Sequence, residues 1–282
     1  MIDMFKIDMF RNDATFDSLK TRGRRFIARK RQSLSVRTLH RLATFVEGAY
    51  ENDEWDMCAN GETNVLRRLA GADFRTAFDV GAHVGNWSIE ALTCWPRSSV
   101  HAFEVAPPTF DRLKHQVDAA GLSSRVTLNC QGLSDATGSR EMYYFPDHPH
   151  LTSDVARHPH PSRPFLANLV SGDEYLEQHG IAAVDFMKID VEGAEHLVLR
   201  GLRRSLDASR IDCLQFEYGA FSVQTRILLA DYYAMLASRY WVGKIFPTHV
   251  EFRDYDWTME SFRFANFLCV ARRRPDLKAM VA

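Results

Sequence analysis

Acidic side chains hold most of the positions in this chain where chemistry could be done. The segment Lys188-Ile189-Asp190-Val191-Glu192-Gly193-Ala194-Glu195-His196 follows an apolar run of strand length, and a further run ends in Gln215-Phe216-Glu217-Tyr218. Alternation along a strand puts Lys188 and Asp190 on the same side. Ligands of open α/β sheets lie beyond the carboxyl ends of the strands, so Asp190 and Glu192 should stand near a reacting group. A carboxylate or imidazole there could take the proton of an alcohol, which contributes typically ~10²- to 10⁴-fold. The candidates are Asp190, Glu217, Glu192 and His196, with Asp190 and Glu217 assigned to the reaction centre as base or acceptor-orienting groups. His196 falls on the following helix and reads more readily as an ordinary, partly buried histidine. Glu195 reads as an acid placed favourably near a helix start.

Upstream, Phe78-Asp79-Val80-Gly81-Ala82-His83-Val84-Gly85-Asn86 runs an apolar strand into a glycine turn and then a helical pattern. Gly81 permits the tight turn, Gly85 lets the backbone approach a ligand, and free N–H groups at the helix start favour an anionic group. Asp79, Gly81, His83, Gly85 and Asn86 are therefore predicted to border a ligand. The spacing is not the dinucleotide pattern G-x-G-x-x-G, because His83 takes the place of the middle glycine. A pyrophosphate needs close backbone contact there, whereas an amino-acid carboxylate demands less. Glu104, 23 residues beyond Gly81 at the end of the next run, can accept from both hydroxyls of a ribose. Asp135, after the third run and Gln131-Gly132-Leu133-Ser134, could accept from an adenine amine or cap the turn containing Gly138. The ordered series fits S-adenosyl-L-methionine better than NAD, with Asp190 also beside it.

No metal is expected. Asp190 and Glu217 could offer oxygen ligands to a divalent ion, but no third ligand can be named. The histidines of the proline-broken stretch, His148, His150, His158 and His160, lack cysteine partners and read as surface residues. Cys58, Cys94, Cys130, Cys213 and Cys269 are widely separated and read as reduced, mostly buried thiols.

The elements that must position these groups alternate. Apolar runs at 76–80, 99–103, 126–130, 184–189 and 211–216 are interleaved with helical patterns beginning near Asn86, Pro107, Ala194 and Val223. Strands apolar on both faces between helices imply a doubly wound, mostly parallel α/β sheet. Runs at 240–246, 250–252 and 264–270 predict three last strands and an antiparallel edge, and the charged tail from Arg272 is predicted to fray. From Arg140 to Ser171 the alternation fails. A strand at 142–145 precedes five prolines, and the stretch reads as a loop facing the active site. A helix over 36–50 is predicted to pack an apolar face on the core, followed by a short helix over 64–69.

With 282 residues, 46% of them hydrophobic, the chain can build one sizeable core, expected over 61–282 behind a helical extension over 1–60. That extension carries Lys20, Arg22, Arg24, Arg25, Arg29, Lys30 and Arg31 with no acid among them, a solvated arm or a contact for a polyanion. The formal net charge of −1 gives no global reason to expect nucleic acid. No secretory leader or membrane span is read, so a cytoplasmic protein without a membrane partner is expected. Oligomeric state stays open, a homodimer included.

Taken together, Asp79-Val80-Gly81-Ala82-His83-Val84-Gly85-Asn86, Phe103-Glu104-Val105-Ala106-Pro107, Gly132-Leu133-Ser134-Asp135, Lys188-Ile189-Asp190-Val191-Glu192-Gly193-Ala194-Glu195 and Asn266-Phe267-Leu268-Cys269 resemble the FkbM family of methyltransferases. The resemblance spans residues 74–271. It implies a Rossmann-like methyltransferase fold, S-adenosyl-L-methionine as cofactor, and O-methylation of a small-molecule, natural-product or saccharide hydroxyl. Val105 stands where the family often has proline, and His83 where asparagine is common. The competing readings are a nucleotide-dependent oxidoreductase and a methyltransferase-like protein that binds RNA or another polyanion through its basic arm.

Overall fold

The computed structural model describes residues 14–153 and 161–282. The chain divides into two units, 1–51 and 52–282. The first holds α1 (Ala14–Arg29) and α2 (Leu34–Tyr50). Sequence periodicity places α2 correctly, but its apolar side is exposed rather than buried, with Val36 the buried exception. Asn52 donates through Nδ2 to the carbonyls of Asn60 and Ile245 and so ties 52–60 to the sheet.

The second unit begins with α3 (Glu62–Arg68) and then alternates: β1 (Thr76–Val80), α4 (Asn86–Cys94), β2 (Ser99–Phe103), α5 (Pro107–Ala119) and β3 (Val126–Asn129). Proline at the first positions of α5, where the backbone N–H has no helical partner, sets the start of that helix. An excursion follows, β4 (Gly132–Ser134), β5 (Gly138–Tyr144) and β6 (Arg163–Ser171), which forms a separate three-stranded sheet in the order β4-β6-β5. The stretch expected as a loop thus begins and ends in strand, at 140–144 and 163–171. His158 and His160 lie outside the described residues.

The chain then returns through α6 (Gly172–Gln178), β7 (Val184–Ile189), α7 (Glu195–Gly201), α8 (Arg203–Asp207) and β8 (Ile211–Tyr218). It ends with α9 (Ser222–Thr225), α10 (Leu229–Leu236), β9 (Tyr240–Ile245), β10 (Val250–Phe252), β11 (Ala265–Ala271) and α11 (Pro275–Val281). Leu277 and Val281 are buried, so the tail is a docked helix, not a frayed end.

The main sheet has the order β10-β9-β11-β8-β7-β1-β2-β3. Strands β8, β7, β1, β2 and β3 are parallel, while β11 and β10 add the antiparallel edge expected from the sequence. Every residue of β8 is buried, as a central strand covered on both faces requires. The chain runs from β1 outward through β2 and β3, then crosses back to β7 on the other side of β1. The β1/β7 boundary is thus the switch point, where a crevice opens beyond the strand ends. Among the described residues no helix is long and apolar enough to cross a membrane.

Candidate active site

Sheet register brings the site together. Val80 pairs with Phe103 and with Ile189, and Ile189 pairs with Phe216. The next residues along these four strands, Gly81, Glu104, Asp190 and Glu217, therefore form one row at the carboxyl edge. Beneath them Lys188 pairs with Asp79 and with Gln215, on the same face as the row above because side chains alternate.

Gly81 has φ 86°, and a Cβ there would lie 1.8 Å from the Asp190 carbonyl oxygen, so β1 and β7 can turn against each other only with glycine. The turn presents the backbone N–H of His83 to Glu104, whose Oε2 accepts it at 3.0 Å while Oε1 accepts from Ala106 N at 2.8 Å. Burial pushes the Glu104 carboxyl up to about 7, against the lowering effect of these two N–H groups.

Gly81, His83, Glu104, Gly132, Asp190 and Glu192 line one cavity, with Leu133, Met142 and Leu169 forming apolar wall. Gly81, His83 and Asp190 also line a second cavity, together with Trp55, Met57, Glu62 and Lys188. Trp55 is 65% exposed and stacks on Phe264, with ring centroids 4.7 Å apart.

A polar network lies under the junction of the two cavities. Lys188 Nζ is 2.7 Å from Asp190 Oδ2. Burial opposes the charge of Lys188, but Asp190, Asp79 and Glu62 outweigh it and hold the ammonium ion well above its ordinary range. Burial likewise opposes ionisation of Asp190, and Lys188 outweighs it, keeping the carboxylate charged. Burial and then the charge of Asp190 drive Glu217 well above the usual carboxyl range, so Glu217 keeps its proton and donates it in a hydrogen bond to Asp190. Glu62 is fixed by Asn60 Nδ2 at 2.8 Å, Gln215 Nε2 at 2.6 Å and Asn266 Nδ2 at 3.0 Å. Glu192 sits at φ 60°, a conformation that L side chains rarely adopt. Its loop is pinned by Glu195, whose Oε1 accepts from Val191 N at 3.0 Å and Gly193 N at 3.2 Å.

The fold places several of the residues singled out from the sequence away from the two cavities. Asp79 borders neither cavity; it is buried and accepts from Ser88 Oγ at 2.6 Å, which ties the strand to α4. Gly85 also stands clear of both, and a Cβ there would meet Leu113 Cδ1 at 2.7 Å, so it serves helix packing rather than ligand approach. Asn86 borders the second cavity only. Asp135 is exposed in the turn after β4, 3.7 Å from Arg140, and it is Ser134 and Gly132 that line the cavity there. His196 lies on α7 outside both cavities, and Glu217 reaches the junction only through Asp190. Of the loop histidines, His150 does border the first cavity. Cys213 and Cys269 are buried, whereas Cys58 and Cys130 are exposed. Sequence reasoning missed Glu62 and Trp55, which fall between the helix expected over 36–50 and that expected over 64–69, and Arg140, which enters from β5.

The Methyltransferase FkbM domain matches residues 79–255, from within β1 to just past β10. This chain belongs to the FkbM methyltransferase family. It is 28% identical over 173 residues to the hexuronic acid methyltransferase AglP of Haloferax volcanii, covering 61% of this chain and 69% of that protein. It is 31% identical over 153 residues to the 31-O-demethyl-FK506 methyltransferase FkbM of Streptomyces tacrolimicus, covering 44% of this chain and 58% of that one. Among solved structures it is similar to the methyltransferase FkbM of Methylobacillus flagellatus, with 16% identity and a TM-score of 0.45 over 70% of this chain and 44% of that chain. The FkbM domain contains all of the edge row up to Glu217, while Trp55 and Glu62 precede it.

Proposed function

We propose that the chain is an S-adenosyl-L-methionine-dependent O-methyltransferase whose acceptor is a hydroxyl of a saccharide or other small polyol. The observation that carries this reading is the meeting of two cavities at Gly81, His83 and Asp190. The first cavity fits the cofactor: Glu104 offers two carboxylate oxygens to a ribose, Leu133, Met142 and Leu169 offer apolar surface to a purine, and Asp190 and Glu192 offer negative charge to a cation. Bound there, S-adenosyl-L-methionine supplies an electrophilic methyl group.

The second cavity fits the acceptor. The exposed face of Trp55 suits the C–H face of a sugar ring, and Glu62 and Lys188 can bind its hydroxyls. Asp190, held ionised by Lys188, accepts the hydrogen bond of the reacting hydroxyl and orients it. Asp190 is too weak a base to remove that proton readily. The other base at the junction is the imidazole of His83, which burial, followed by Arg112, shifts to the neutral form. Its Nε2 finds no hydrogen-bond partner among the described residues. With the cofactor bound, transfer to the acceptor oxygen would break the methyl–sulfur bond and leave a neutral thioether, while His83 would take the hydroxyl proton and return it to water.

The test is transfer of labelled methyl from the cofactor to a panel of saccharides, with mass identification of the methyl ether. Trp55→Ala should raise the acceptor KM. His83→Asn, which installs the residue common in the family, tolerates the φ of 49° and removes the imidazole, should lower kcat; an unchanged kcat would exclude His83 as the base. A melting temperature raised by NAD but not by S-adenosyl-L-methionine or its demethylated product would overturn the reading.

A further inference from the structure

The first unit carries a surface that methyl transfer does not use. No acid stands between Asp17 and Glu47, whereas that stretch holds Arg24, Arg25, Arg29, Lys30, Arg37 and Arg41 among its basic residues. Helical spacing on α2 puts Leu39, Leu42, Phe45, Val46 and Tyr50 on one side and Arg37, His40 and Arg41 on the other. The apolar side is open to solvent, Leu42 at 58% and Phe45 at 72% exposure, and Phe26 and Ile27 on α1 are exposed as well. A helix with such a stripe ordinarily buries it.

We infer that α1 and α2 form a peripheral docking surface for an anionic lipid bilayer. A broad aliphatic sector flanked by arginines matches the boundary between acyl chains and negative headgroups, where a helix lies in the plane of the membrane. This revises the expectation of no membrane contact, which rested on the lack of an apolar span. Charge complementarity selects the partner. A second copy of this chain would bring two acid-free basic segments together, with like charges opposed across the apolar seam. RNA would satisfy the arginines but leave Leu39, Leu42 and Val46 in water.

The full chain should float with vesicles of phosphatidylcholine and phosphatidylglycerol, and bind vesicles of phosphatidylcholine alone at least about tenfold more weakly. Each arginine neutralised should lower the partition coefficient by about fivefold, so Arg24→Gln with Arg25→Gln should lower it about 25-fold. Leu42→Ser with Phe45→Ser should remove the binding that survives high salt. All four side chains are exposed, so the melting temperature and methyl transfer in solution should stay unchanged, which separates this surface from the active site. Three outcomes overturn the inference: no vesicle binding, retention of polyuridine without vesicle binding, or self-association abolished by Leu42→Ser with Phe45→Ser in a chain that ignores vesicles.

Discussion

Replacing Glu104 by glutamine removes a charge while keeping the volume, so it isolates what the carboxylate contributes. Its two oxygens accept from His83 N and Ala106 N, and each retains a lone pair for a ribose hydroxyl. A hydrogen bond to a charged group contributes about 1.5–3 kcal/mol, so Glu104→Gln should weaken S-adenosyl-L-methionine binding roughly 10- to 100-fold. The pH dependence is a second, independent signature. Burial pushes the carboxyl up to about 7, so a proton competes with the ribose near neutrality. The charged fraction falls from about three quarters at about pH 7.5 to about one tenth at about pH 6, which should weaken binding about eightfold across that interval. In the glutamine variant this dependence should vanish. Calorimetric titration with the cofactor at the two pH values measures both effects. Wild-type affinity that is level over the interval, together with a glutamine variant that binds as tightly, would refute the ribose role and the placement of the cofactor in the first cavity.

Other perturbations report on the frame around the site. Gly81→Ala forces a Cβ to 1.8 Å from the Asp190 carbonyl oxygen at a φ of 86°, and should cost at least ~3 kcal/mol, seen as a melting temperature lower by about 10 °C. Lys188→Met leaves Asp190, whose side chain is 34% exposed, without its cation and should cost about 1.5–3 kcal/mol in urea denaturation; a loss under ~1 kcal/mol would mean that the pair contributes little. Glu104 and Glu195 are both pushed up to about 7 by burial, against the lowering effect of their backbone N–H partners. Both bind protons more tightly folded than unfolded, so their contribution to stability is fully present below their ordinary range near 4.5 and is lost as pH rises through about 7. The melting temperature of the ligand-free protein should therefore fall between about pH 5 and pH 8, and Glu195→Gln should remove part of that slope.

What the sequence discloses follows how far apart the determinants lie. The parallel strands are legible because burial on both faces leaves continuous apolar runs, and their ends mark Gly81, Glu104, Asp190 and Glu217 without any knowledge of register. Strand β6 escapes detection because it begins at Arg163-Pro164 and alternates only weakly, and it becomes a strand by pairing with β5, from Tyr144 against Arg163 to Gly138 against Leu169. Glu62 escapes for the same reason. Its partners Gln215 and Asn266 stand 153 and 204 residues away, and nothing near Glu62 shows that it closes a network. Gly85 is legible as a glycine that matters and misread as to why, since Leu113 on α5 is what fills the space beside it. Asp135 has the right type and spacing, but its orientation depends on Arg140 in the next strand, a pairing that periodicity does not contain.

The protonation pattern around the junction has one physical cause. Asp190, Asp79 and Glu62 act on Lys188, Glu217 joins through Asp190, and Glu192 and Glu195 stand on the adjoining loop and the start of α7, so acids exceed the cation set among them. Buried charge without compensation is costly, and the cluster reduces that cost by neutralising its own members. Asp79, Glu195 and Glu217 all shift toward the protonated form, and Asp190, held against Lys188, stays charged. A pocket built this way favours a ligand that brings positive charge. On the proposed function the sulfonium and ammonium groups of the cofactor bring it, and the neutral thioether left after transfer carries less. The excess acids therefore bias the cavity toward the charged methyl donor over its product. The same excess that lowers the stability of the ligand-free protein thus favours loading before transfer and release after it.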